Sequence, residues 1–582
     1  RVGRVIPLHG KDVDDASPNG RASWPEIGGA VHRPRALLTV PRMRCSSSVA
    51  AASVAGPRRS ALMTSEASDA TARLERLERD VAALLEQQRR MLEQLAHLEA
   101  RLAEASSHAP PPDPLADLWR AIEGCTQPRP YNELVGRLLE QNRVVEAERV
   151  ARRATALWLR SPHAFFNLGA ALERQDKFAE AEQAFRATLA IESSFFAARS
   201  ALSRLLDRQG RSADAVVLLE TEAVVSPNDP AVLARLAVYA LHAGQHEKAA
   251  HFAQRNAQRV YASALWPERG REPPRSFVGS LKAPKLRHDI EQLRYLQSKG
   301  ILSDELAPIV AEFERTLSEI LPVGDVERVA PSVEQRARLG GVYSRILHVR
   351  PTPRVDKALS YAWDMPAKEA EYVGNPPGII VVDRLLSDDA LQALRAFCLE
   401  STIWTTSRYE NGYLGSFFTD GFNCPLLFQI AEELRAAMPR VIGDRHLTTM
   451  WAFKYDQQMS GTRLHADEAA VNVNFWLTPD DANLDPDSGG LDVWDAEAPL
   501  DWKFEDYNAG STDLIDKHLA KSNAKSLRFP YRQNRAVIFN SDLFHGTSPF
   551  RFKPGYENRR VNVTMLYGGR SDRALEAERR GR

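Results

Sequence analysis

Hydrophobic positions recur at three different periods along the chain, and each period predicts a different element. Over residues 72–106, Leu74, Val81, Gln88, Leu95 and Leu102 are spaced by seven, and Leu77, Leu84, Met91 and Leu98 repeat them at an offset of three. Mostly Glu, Arg and Gln fill the positions between, so the pattern is the a/d seam of a coiled coil with charged flanks. The alternative is a single amphipathic helix packed on its own chain. Gln88 is a polar a position of the kind that sets register. The prolines of 108–114 close this helix, because proline cannot donate to the helical ladder.

Over residues 128–262 the period is 34. Pro128, Pro162 and Pro230 are in phase, with Phe196 in the remaining slot. Leu134, Leu168, Leu202 and Leu236 form a second column, and Ala147, Ala181, Ala215 and Ala249 a third. Between them stand Asn142, Asp176, Gly210 and Gly244, residue types that tolerate the left-handed turn joining two helices. The segment resembles tetratricopeptide repeats, best in NLGAALERQDKFAEAEQAFRATLAIE (167–192). The resemblance implies a superhelix of paired helices with a concave face that holds a protein or peptide partner.

From residue 377 the period falls to two. Short runs at 450–456, 471–477, 491–494, 535–540 and 560–567 are separated by turn-rich segments, which predicts a mainly β domain over 377–570. In VNVNFWL, Val471, Val473 and Phe475 share one face, and Asn472 and Asn474 begin the other. In RVNVTMLY, Arg560, Asn562 and Thr564 share the polar face. Two strands that each offer polar residues on one side point to a barrel with a polar, functional interior. The stretch between, 263–376, reads as a connector with helices at 286–299 and 303–320 that pack on the next domain.

The two ends lack such periods. Residues 1–70 are rich in Pro, Gly, Ser and Ala, with seven Arg and one acid between Ala16 and Leu62. They read as a disordered leader, the true start lying at Met63, or as an organellar transit segment. The cytoplasm is the expected location, with organellar targeting as the alternative. Residues 571–582 read as a disordered tail.

Composition narrows the function classes. The 582 residues carry 76 basic and 76 acidic side chains, which argues against a dedicated nucleic-acid binder. No run approaches the length of a membrane-spanning helix, so no membrane partner is expected. The four cysteines, Cys45, Cys125, Cys398 and Cys424, are far apart and read as free thiols in a reducing compartment.

The candidate chemistry gathers in the β domain. His465 and Asp467 are two apart, so in extended chain they point the same way. His545 follows 78 residues after Asp467, just behind the strand at 535–540. Two imidazoles and one carboxylate form the facial triad of non-haem Fe(II), with three coordination positions left open. Arg559 and Arg560 open the last strand, where a guanidinium can grip a carboxylate with two parallel bonds. They are rivals; strand phase favours Arg560, which shares the face of Asn562 and Thr564. His446, in a turn-like GDRH, reads as a non-ligand.

With these residues in place, 377–570 resembles the Fe(II)/2-oxoglutarate-dependent dioxygenases, most of all the prolyl-4-hydroxylase-like branch. The matching pieces are His465-x-Asp467, the Gly489-Gly490 pair after an acidic turn, His545 and the cation of the last strand. The resemblance implies a double-stranded β-helix (jelly-roll) and Fe(II) on His465, Asp467 and His545. It implies 2-oxoglutarate as co-substrate on the iron and on Arg560, and ascorbate as reductant. Tyr455, ten residues before His465, stands where the family often places a co-substrate tyrosine, or is a core aromatic. Asn474 is a further co-substrate contact or a structural polar group. The long segment 495–530 either lines an entrance with Trp502, Phe504 and Tyr507 or is a solvated excursion anchored by them.

The expected protein is therefore a multidomain α plus β chain: coiled coil, tetratricopeptide-like superhelix, connector and jelly-roll. Its expected activity is iron- and 2-oxoglutarate-dependent hydroxylation of a protein or peptide side chain presented by the repeats, in a homo-oligomer formed through the coiled coil. The alternatives are a catalytically silent interaction scaffold and an oxygenase acting on a small molecule.

Overall fold

The computed structural model describes Arg90 and residues 113–261, 279–303, 306–324, 328–405, 413–509 and 512–570. The leader, the tail and, apart from Arg90, the heptad segment lie outside the described residues. The chain divides into two compact units, one ending at Ala154 and one beginning at Thr155. The division falls inside the 34-residue array rather than at its edges.

The smaller unit holds helices Ala116–Ala121 and Pro128–Glu140 and most of Val144–Leu157. Arg143 ties it together, bonding Asp113 at 2.7 Å and Glu146 at 2.7 Å.

The larger unit opens with three helical hairpins: Pro162–Glu173 with Phe178–Ile191, Phe196–Arg208 with Ser212–Val225, and Pro230–His242 with His246–Tyr261. Pro162 and Pro230 sit in first turns, where the missing N–H costs nothing. Ser161 and Asp229 cap those turns from the preceding position. Asp176, Gly210 and Gly244 turn the chain at φ of +56°, +74° and +69°. Ala181, Ala215 and Ala249 are fully buried, so paired helices meet nearly backbone to backbone.

The last hairpin packs on the β region of the same unit. His242 Nε2 meets the Thr448 carbonyl at 3.1 Å, His246 Nδ1 meets Glu432 at 2.9 Å, and Asn256 donates to the Thr419 carbonyl at 3.1 Å. The connector is built in as well. Helices Ala283–Ser298 and Ala307–Ile320 enclose a core of Leu286, Leu293, Phe313, Ile320 and Tyr343. Gln292 then donates to the Leu399 and Ser401 carbonyls, fastening the first of these helices to the β region.

Eleven strands are present among the described residues. They are β1 Ile379–Val382, β2 Leu414–Phe417, β3 Leu447–Lys454, β4 Gln458–Met459, β5 Val471–Trp476, β6 Leu491–Glu497, β7 Ser526–Phe529, β8 Ala536–Asn540, β9 Leu543–Thr547, β10 Phe550–Arg551 and β11 Val561–Tyr567. The large sheet runs β1-β8-β5-β11-β3-β2, the small one β7-β6-β9, and β10 pairs with β4. Every pairing is antiparallel. Trp476, Val537 and Phe539 of the large sheet and Leu491, Val493 and Leu543 of the small one share a core with Tyr455, Tyr531, Phe550 and Phe552.

Register fixes the inner face of the large sheet. Asn472 lies opposite Phe539 and Leu566, and Asn474 opposite Val537 and Thr564. Asn562 lies opposite Trp476 and Phe453. All six residues of β5 are buried, although its sequence alternates. Tyr567, at the end of neighbouring β11, reaches helix Pro425–Ala437 with its hydroxyl on the Ala431 carbonyl, and the polar side of β5 faces the small sheet. The asparagines are therefore interior groups that need partners, not solvent-facing ones.

Candidate metal centre

His465 and Asp467 lie just before β5, and His545 is in the middle of β9. A two-way backbone bridge pins them together: His465 N donates to the His545 carbonyl at 3.1 Å, and His545 N to the His465 carbonyl at 2.8 Å. The ring centroids are 4.5 Å apart. The ligand atoms of His465, Asp467 and His545 all lie within 4.8 Å of one another, and no other cluster of this kind occurs among the described residues. His545 Nε2 is 3.4 Å from Asp467 Oδ2, and His465 Nε2 is 3.9 Å from Oδ1.

Each imidazole is held by its far nitrogen. His465 Nδ1 is 3.0 Å from the Arg463 carbonyl, and His545 Nδ1 is 2.9 Å from the Leu543 carbonyl. A carbonyl only accepts, so both Nδ1 atoms carry a proton and both Nε2 atoms are turned toward Asp467. Burial, and then the neighbouring His545, pull the His465 pKa below its ordinary value and favour the neutral ring. Burial alone would raise Asp467. The hydrogen bond from His545, the two imidazoles and the Asn472 amide outweigh it and hold the carboxyl below its usual range. Asn472 Nδ2 reaches Asp467 Oδ2 at 2.8 Å, and Asn508 Nδ2 is 3.5 Å from Oδ1. Two oriented imidazoles and one oriented carboxylate fit a divalent first-row metal.

Arg560 occupies the far end of the same interior. It is 1% exposed, and its guanidinium carbon lies 4.8 Å over the Tyr455 ring and 5.4 Å from the Phe550 ring centre. Nε donates to the Gly489 carbonyl at 2.7 Å and an Nη to the Gly490 carbonyl at 3.3 Å. A further partner is Asn562 Oδ1 at 3.4 Å, and no carboxylate among the described residues pairs with it. Burial lowers its pKa, with the Tyr455 and Tyr531 phenols opposing. Arg559 turns the other way, onto Glu291 at 2.7 Å and Asp456 at 3.4 Å. The Gly-Gly pair thus has two tasks. Its carbonyls seat the guanidinium, and a side chain on Gly490 would meet the Phe529 carbonyl oxygen at 1.9 Å.

Tyr455 bridges the two ends. Its hydroxyl is 3.5 Å from Thr547 Oγ1, and Thr547 follows His545 by two residues along β9. Asn474 is spent on structure: it donates to Thr564 Oγ1 at 3.1 Å and accepts from Asn562 at 3.2 Å. It acts as a cross-strand clamp, the structural one of its two expected roles. Trp502, Phe504 and Tyr507 pack with Ala496, Ile515 and Phe544, so they anchor the 495–530 excursion instead of lining an entrance. His446 lies under Gly244 of the last hairpin, apart from the cluster. Asn472 and Asn508 are partners of Asp467 that no motif in the sequence singles out. The polar face of VNVNFWL was the only signal for Asn472, and nothing marked Asn508.

The chain matches no family model and no curated protein. Solved structures with partial similarity include YrrB, described as a tetratricopeptide-repeat protein with an unusual peptide-binding site, at 17% identity and TM-score 0.23 over 25% of this chain and 74% of that one. MamA from Desulfovibrio magneticus RS-1 gives 16% and 0.22 over 34% and 97%. The Cut9–Hcn1 hetero-tetramer structure gives 17% and 0.22 over 24% and 28%. At these values the helical-repeat assignment rests on the chain's own hairpins.

Proposed function

We propose that the β region is an Fe(II)- and 2-oxoglutarate-dependent dioxygenase of double-stranded β-helix type, and that the helical hairpins carry its protein or peptide substrate. The observation that carries this reading is the pair of incomplete sites in one interior: three converged metal-ligand atoms and a desolvated guanidinium with no counter-charge among the described residues. A buried cation without a carboxylate is costly unless a ligand supplies one. A small dicarboxylate with a keto-acid end satisfies both ends at once.

His465, Asp467 and His545 would hold the metal, and the metal would supply activation of dioxygen for C–H hydroxylation with 2-oxoglutarate as the electron source. The Nδ1 bonds to Arg463 and Leu543 keep both imidazoles aimed, and Asn472 keeps the carboxylate rotated inward. Arg560 would bind the distal carboxylate of the co-substrate, and the Tyr455 ring fixes the guanidinium plane. Trp476, Tyr531, Phe550 and Phe552 exclude water from that contact, which strengthens it.

The repeats by themselves also support a second reading, an interaction scaffold with a silent β region. That reading leaves the converged triad and the uncompensated Arg560 without a purpose. Turnover of 2-oxoglutarate to succinate separates the two. Uncoupled succinate formation that requires Fe(II) and vanishes in His465→Ala supports the oxygenase; its absence in the loaded wild-type chain supports the scaffold.

A further inference from the structure

A second site lies in the repeats, independent of the oxygenase reading. A cavity of about 400 Å³ opens between the second and third hairpins, lined by Phe196, Ser200, Glu222, Ser226, Asp229 and Arg235. Most of its polar groups are already engaged. Asp229 caps its own helix through Ala231 N at 2.8 Å, and Arg235 bonds Ser200 and the Ala231 carbonyl. Glu222 differs: it is 4% exposed, and its Oε2 is buried without a hydrogen-bond partner.

The 34-residue period sharpens the contrast. The positions equivalent to Glu222 are Ala154, Thr188 and Asn256, all buried and none charged. Thr188 bonds its own helix at the Ala184 carbonyl, and Asn256 bonds the Thr419 carbonyl. Only the unit with Glu222 places a carboxyl there. The same unit has Phe196 in the slot that holds proline in the other three, and Phe196 is 48% exposed at the cavity. An unpartnered buried carboxyl behind an exposed aromatic ring suits a long aliphatic stem with a cationic tip.

We infer that this cavity receives a lysine or arginine side chain of a protein partner, its stem on Phe196 and its charged head on Glu222. Burial raises the Glu222 pKa, with Arg235 and Arg199 opposing, and an incoming cation would act in the same direction as those two arginines.

The test is ligand-observed saturation-transfer NMR on the full chain, with N-acetyl-lysine N-methylamide as probe. The matched norleucine derivative replaces the ammonium group, charge and donors together, by hydrogen, and 1,4-diaminobutane represents a free polyamine. The lysine derivative should bind about ten-fold more tightly than the norleucine one, the scale for a single charge-assisted hydrogen bond. Glu222→Gln should abolish that preference, while Glu220→Gln on the same helix should not. Arg235→Gln removes a repelling charge and should tighten binding; weaker binding there would make the cavity an anion site and overturn the proposal. Equal binding of the lysine and norleucine derivatives to the wild-type chain overturns it without any variant. Tighter binding of diaminobutane than of the blocked lysine would overturn the protein-partner assignment.

Discussion

The guanidinium of Arg560 lies 4.8 Å over the Tyr455 ring inside the sandwich, where no carboxylate among the described residues pairs with it. A cation over an aromatic face gains about 2 kcal/mol when desolvated. That does not replace the hydration it has lost, so the site is poised for an anion. Arg560→Met, which keeps much of the volume, should weaken 2-oxoglutarate binding by roughly 2–4 kcal/mol, the scale for removing one partner of a desolvated pair. Arg559→Ala should leave that affinity within about 1 kcal/mol of wild type, because Arg559 is committed to Glu291 and Asp456. Anaerobic titration calorimetry with Fe(II) present measures both. The reverse ranking would place the other strand face in the site.

Asn472 holds Asp467 Oδ2 at 2.8 Å. Removing the amide frees the carboxylate to rotate and leaves the imidazoles untouched. Asn472→Ala should lower Fe(II) affinity about 10–100-fold, as for other groups that orient metal ligands. Asn474→Ala, one row further along the sheet, should cost stability and leave metal affinity within a few-fold. Competition against a fluorescent chelator reads the affinities, and urea unfolding reads the stability.

How far the sequence revealed these roles depended on range. The strand phase of Arg560, Asn562 and Thr564 follows from alternation alone, and register places those three side chains inside. The turn residues Asp176, Gly210 and Gly244 are legible because each must adopt positive φ. The fate of Asn474 was not legible: whether it faces a ligand or Thr564 depends on which strand lies beside β5, and that strand arrives 90 residues later. Trp502, Phe504 and Tyr507 leave an entrance and an anchored excursion equally open in the sequence, because exposed and anchoring aromatics have the same local pattern. Their partners, Ala496, Ile515 and Phe544, are set by the packing of the excursion. Glu222 carried a signal that only the column comparison with Ala154, Thr188 and Asn256 brings out.

The Gly-Gly pair offers a steric test. A methyl on Gly490 would sit 1.9 Å from the Phe529 carbonyl oxygen, and backbone cannot easily yield. Gly490→Ala should destabilise the chain by about 3 kcal/mol, the upper range for forced overpacking. At Gly489 the nearest atom is the Phe550 Cβ at 3.2 Å and φ is +79°. Gly489→Ala should therefore cost about 1–2 kcal/mol, mainly for the left-handed backbone. Urea unfolding ranks the two, and equal costs would contradict the close approach of β7 to Gly490.

Lys454 gives a pH dependence with a definite sign. It is 1% exposed, with Nζ on the Cys398 carbonyl at 2.8 Å and on the Tyr556 hydroxyl at 2.7 Å. Burial holds its pKa well below the ordinary lysine value of 10.5. Between those two values the unfolded chain binds a proton that the folded chain does not, so wild-type stability rises with pH. Lys454→Met removes that dependence. The stability of the variant relative to wild type should fall by about 1.4 kcal/mol per pH unit within this window. Urea unfolding of both chains at pH 8 and pH 9.5 checks it; a difference independent of pH would mean that Lys454 stays charged.

The most direct test of the central claim is anaerobic addition of Fe(II) and 2-oxoglutarate to the full chain, followed by absorption spectroscopy. If the triad and Arg560 form one site, a metal-to-ligand charge-transfer band should appear only when both are present. The band should be lost in Asp467→Ala, and Arg560→Met should need far more 2-oxoglutarate to produce it. A wild-type chain that binds neither component, or a band that survives Asp467→Ala, would contradict it.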